Sequence, residues 1–74
     1  MNAKELFELM KYLTDRRNER ADMRNYYQQR YSDLLEQNQE KDAEYYKNAA
    51  SEAGMEVSRL DYFLRTIGQI EVTR

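Results

Sequence analysis

The chain has 74 residues, 41% of them hydrophobic and 35% charged, with a net charge of −2; it is too apolar to stay disordered and too short to build a deep core unaided. It contains no His and no Cys, which removes imidazole and thiolate nucleophiles, the common zinc sites, iron–sulfur clusters and disulfide staples, and with them most enzyme classes. Zero Pro and only two Gly leave almost nothing from which to make the turns of a sandwich or barrel, so the composition predicts an all-α fold.

Taken in chain order, the N-terminus lacks a basic region followed by an unbroken apolar run, so neither a signal peptide nor a membrane span is expected. Asn2 with Glu5 three residues later has the form of a capping box, which starts a helix at about Ala3. Leu6, Leu13, Tyr27 and Leu34 then recur at multiples of seven, with Met10 and Tyr31 interleaved. The same seam carries Arg17, Arg20 and Arg24 in its middle, where a dry coiled-coil core is excluded. Nothing breaks the helix before Glu36, so helix 1 is predicted over residues 3–36. Residues 37–40 are polar, and Asn38 tolerates the left-handed conformation that a helix reversal needs.

The second half is more regular, since Ala43, Tyr46, Ala50, Ala53, Val57, Leu60, Leu64 and Ile67 follow alternating three- and four-residue steps. This pattern predicts helix 2 over about 41–67, stopped by Gly68 in the left-handed C′ position. Residues 68–74 read as a tail. Folding the chain at the turn pairs Leu34 with Ala43, Tyr31 with Tyr46, Tyr27 with Ala50, Arg24 with Ala53, Arg20 with Val57 and Leu13 with Leu64, every pair of numbers summing to 77. Large side chains then meet small ones, as closely spaced antiparallel helices require.

Charge follows the same division. Residues 11–30 hold Lys11, Arg16, Arg17, Arg20, Arg24 and Arg30 against three acids, while eight acids oppose three bases over 31–61. An antiparallel hairpin sets these halves face to face, with Arg20 and Arg24 expected near Glu56 and Glu52. The rival is one continuous helix of about 65 residues, roughly 100 Å long. The fold class favoured is an all-α, two-helix antiparallel hairpin with coiled-coil packing, associating into a bundle because two helices cover only one stripe each.

Residues 46–65 resemble a helix-turn-helix: Ala50, Gly54, Met55, Leu60 and Phe63 occupy its small, turn-glycine and apolar positions. The resemblance implies that Gly54 ends a short helix and that Ser58 and Asp61 assist the start of a recognition helix. The competing reading of the same residues is an unbroken heptad through Gly54.

Neither a cofactor nor a metal is expected, and Glu36, Glu40 and Glu44 read as a solvated face, since a calcium loop would need a turn glycine. The residues singled out for partner binding are Arg17, Arg20 and Arg24, which stand where Leu would be expected, and the sideways aromatics Tyr26, Tyr45, Tyr62 and Phe63. The functional expectation is a small, cytoplasmic, non-enzymatic regulator, inhibitor or assembly factor that binds protein and self-associates, of a size that suits a phage or mobile-element product. The alternative is a nucleic-acid binder using either the helix-turn-helix-like segment or the Arg stripe of helix 1. No small-molecule substrate is implied.

Overall fold

A helix must satisfy its free N–H groups before it can propagate, and here the first turn is closed reciprocally. The Glu5 N–H donates to Asn2 Oδ1 at 2.8 Å and Asn2 Nδ2 donates to Glu5 Oε1 at 2.9 Å. The computed structural model, which describes residues 2–69, runs from this cap into α1, Ala3–Glu36, and then α2, Glu40–Gly68. Contacts between the two helices are extensive, and the molecule is a thin antiparallel hairpin with extents of 59 × 14 × 12 Å. The single long rod is thereby excluded.

The reversal is a Schellman motif. Asn38 takes φ 59°, the Gln39 N–H donates to the Leu34 carbonyl at 2.9 Å, and the Asn38 N–H donates to the Leu35 carbonyl at 3.1 Å. Asparagine suits this position because its short polar side chain lowers the steric cost of the left-handed region. Glu40 and Asp42 lie in the first turn of α2, where negative charge faces the positive end of the helix dipole.

Between the helices, the buried apolar residues among those described are Leu6, Leu34, Ala43, Ala50, Ala53 and Val57, four of them on α2. The alanines let the backbones approach closely, and the α1 side of the contact is completed in its middle by the stems of Arg17, Arg20 and Arg24, all half-buried. Towards the open end Leu9, Met10, Leu13, Leu60, Leu64 and Ile67 reach only partial burial. Burial is thus most continuous from the turn to the middle of the rod, with Leu6 alone of the described open-end residues counted among the buried ones.

Two expectations need correction. Residues 46–65 lie within one uninterrupted helix, so Gly54 ends nothing and the helix-turn-helix arrangement does not form; the heptad seam continues through Gly54 because Ala50, Ala53 and Val57 on either side of it are buried together. Gly68 does not have a positive φ, and α2 ends with Gln69 at φ −93°, its N–H directed to the Thr66 carbonyl. The tail expected beyond residue 69 lies outside the described residues. Replacing Gly54 with Ala should accordingly stabilise the hairpin by roughly 0.5–1 kcal/mol, the usual gain for Gly to Ala in a helix interior. An added Cβ meets only Arg24 Cδ at 3.6 Å, an ordinary contact. Thermal melts of the two proteins at equal concentration check this, and a fall in melting temperature would contradict the continuous helix.

Candidate functional site

The pairing of α1 with α2 divides the hairpin into two broad faces. On one, α1 presents Arg16, Arg20, Met23, Tyr27 and Arg30 at alternating four- and three-residue steps, and α2 presents Asp42, Tyr45, Ala49, Glu52, Glu56, Arg59 and Phe63 in the same rhythm. Grooves along this face are lined by Arg20, Tyr27, Tyr45, Ala49, Glu52 and Glu56 in the middle and by Arg16, Glu56 and Phe63 towards the open end. The opposite face carries Arg24, Tyr31, Lys47, Ser51 and Gly54, with Arg17 and Asp61 further along it.

The three seam arginines therefore do not form a continuous stripe. Arg17 Nε donates to Asp61 Oδ1 at 2.9 Å on the second face. Arg20 turns to the first face, where its Nε lies 2.7 Å from Glu56 Oε2 while Nη1 donates to Met23 Sδ at 3.3 Å. The Nε–H of Arg20 is buried and misaligned with that carboxylate, so the short contact is an ion pair without a directed hydrogen bond. Arg24 lies with its Cδ over Gly54, on the side away from Glu52. The expected Arg24–Glu52 pair is replaced by this packing, because Gly54 leaves a notch that the arginine stem fills. Asp61 is the partner that sequence reasoning missed; it lies one residue beyond the seam position opposite Arg17, whereas Glu56 lies one residue before the seam position opposite Arg20, which is why the two pairs fall on opposite faces.

The tyrosine doublets behave as their helical spacing requires, one ring inward and one to the side. Tyr27 and Tyr46 are half-buried, while Tyr26 is 58% and Tyr45 68% exposed. Together they make a ladder of four rings across both helices: Tyr26 to Tyr27 at 5.7 Å, Tyr27 to Tyr46 at 6.1 Å and Tyr46 to Tyr45 at 5.2 Å between centroids. The edge-on outer pairs are the arrangement the ring quadrupoles favour. The guanidinium of Arg30 stands 5.5 Å from the centre of the Tyr46 ring. Tyr27 reaches Tyr46 as well as lying at the level of Ala50.

Tyr62 and Phe63 form a second, smaller exposed pair at the open end, 6.1 Å apart. Phe7 at 70% and Tyr12 at 64% exposure belong to the same end. Phe7 had no signal of its own, because it follows the seam residue Leu6 and falls outside the heptad. The exposed rings thus lie on either side of the ion pairs along the rod, Tyr26 and Tyr45 on the turn side and Phe7, Tyr12, Tyr62 and Phe63 towards the open end.

Among the described residues no group of three acidic side chains converges in a way that could hold a metal ion, and no helix is long and apolar enough to cross a membrane. Set against protein-family models, characterised proteins and solved structures, the chain matches none of them.

Proposed function

We propose that this chain works by binding protein, as a small cytoplasmic, non-enzymatic regulator, inhibitor or assembly factor whose helical surface is the active element. The observation that carries the reading is the tyrosine ladder, which leaves Tyr26 and Tyr45 in water on a scaffold that already holds Tyr27 and Tyr46 in place. Rigid aromatic rings ordered before binding lose little side-chain entropy on docking, and such residues dominate the energetics of protein interfaces. The accessible surface supports the same reading: 6005 Å² is about 1,100 Å² more than the roughly 4,900 Å² typical of a compact monomer of this mass.

Nucleic-acid binding has weaker support. Arg17 and Arg20 are engaged by Asp61 and Glu56, and their heads point to opposite faces, so they do not make one phosphate-tracking row. Affinity capture with the purified chain from cells of its native host, repeated after nuclease treatment, tests the choice. The expected result is a protein partner retained after nuclease and lost from the Tyr26→Ala/Tyr45→Ala double variant while helicity is unchanged. Recovery of nuclease-sensitive material with a steep salt dependence would overturn the reading.

A further inference from the structure

The face that carries Tyr27, Tyr45 and Ala49 has a charge pattern that selects its own occupant. Along its α1 edge stand Arg16, Arg20 and Arg30; along its α2 edge stand Asp42, Glu52 and Glu56, with Arg59 as the one base among the described residues there. We propose that a second copy of the chain docks on this face to complete a four-helix bundle whose two-fold axis runs parallel to the rod. The inference rests on the protein-binding reading above and names one partner and one geometry for it.

Two ways of laying one hairpin on another bring this face against itself. With the two-fold axis across the rod, each helix lies against its own copy, so arginines meet arginines and glutamates meet glutamates at the centre, a like-charge contact that opposes docking. With the axis along the rod, α1 lies against α2 of the second copy and every neighbouring pair of helices is antiparallel. The register within the hairpin then repeats between copies: Tyr27 lies over Ala49 of the second copy, and Arg20 lies near Glu52 and Glu56 of the second copy. Large again meets small and base meets acid, the up-and-down arrangement of a four-helix bundle.

The size of the face fits. A strip of 59 × 14 Å is on the order of 800 Å² per partner, the standard area of a stable protein interface. The opposite face is a poorer candidate, because the groove in its middle is lined by the bases Arg24 and Lys47 with no acidic residue beside them, so self-docking there would set like charges together.

Sedimentation equilibrium of three proteins, combined with distances between spin labels placed on Gln37→Cys, tests the proposal. The wild type should be a dimer. Ala49→Glu, in the middle of the docking face, should weaken self-association at least tenfold, whereas Ser51→Glu on the opposite face should leave it unchanged. If Ala49→Glu loses helicity by circular dichroism, Tyr45→Ala takes its place, since that ring is exposed and outside the hairpin core. Labels at the turn should lie within about 35 Å of each other, because both turns occupy one end of the bundle and neighbouring helices are spaced by 8–10 Å. A wild type that remains monomeric, a dimer broken by Ser51→Glu instead, or a label separation near the 59 Å rod length would each overturn it. A monomer that still captures a protein from cells would overturn this inference alone and leave the broader reading in place.

Discussion

Replacing Leu34 with Ala is expected to leave most of the isolated chain unfolded at low micromolar concentration. Leu34 is 5% exposed, its carbonyl accepts the hydrogen bond from Gln39 that closes the reversal, and Ala43, fully buried, belongs to the same small core. Leu to Ala at a buried site costs about 2–5 kcal/mol, and a chain of this size rarely draws more than about 3–5 kcal/mol from its core. Leu35, one residue further on, is 41% exposed, so its replacement by Ala should change stability by no more than about 0.5 kcal/mol. Urea titrations followed by circular dichroism compare the two. Equal losses at both positions would contradict the assignment of Leu34 to the core and Leu35 to the surface.

A second large effect concerns the alanines of α2. In a coiled coil of ordinary spacing, Ala to Leu at a core position adds apolar burial and stabilises. Here Ala43 is 0% and Ala53 4% exposed, and their small size is what lets the helices approach, so an added isobutyl group has no space to enter. Each substitution should cost about 1–3 kcal/mol through overpacking. The two sites are ten residues apart in one helix, about 15 Å, so the costs should add. The double variant Ala43→Leu/Ala53→Leu is thus expected to lose about 2–6 kcal/mol or to separate its helices. Chemical denaturation measures the first outcome and small-angle scattering the second. A more stable hairpin of unchanged dimensions would show that the helices are not closely packed.

Much of this architecture was legible in the residues because it depends on local signals and a repeating period. Asn2 with Glu5 marked the start of α1, the polar stretch around Asn38 marked the reversal, and the alternating spacing from Ala43 to Ile67 marked the buried stripe of α2. Constant-sum pairing placed Arg20 at the level of Glu56, where the ion pair forms. It did not determine which side of the seam each arginine would take. That choice depends on the neighbours across the groove: a notch at Gly54 draws Arg24 one way, and Glu56 draws Arg20 the other. Gly54 also misled in the opposite sense, because a glycine beside small and apolar residues fits a turn as well as a tightly packed helix. Only the burial of Ala53 and Val57 on one continuous helix separates the two. The four-ring ladder was half visible, as doublets with one ring inward, while its continuity across the helices required the relative axial position of Tyr27 and Tyr46.

Dependence of the melting temperature on protein concentration tests most directly whether this chain is built to associate. A folded dimer in equilibrium with unfolded monomers gains stability by mass action as concentration rises. For a dimer of this combined size, each tenfold increase should raise the melting temperature by roughly 3–5 °C. Melts across a hundredfold range of concentration, with sedimentation at each end, should show that rise together with a species of twice the 9.0 kDa chain mass. A melting temperature that stays constant over the range, for a species that sediments as a single 9.0 kDa chain throughout, would contradict the account.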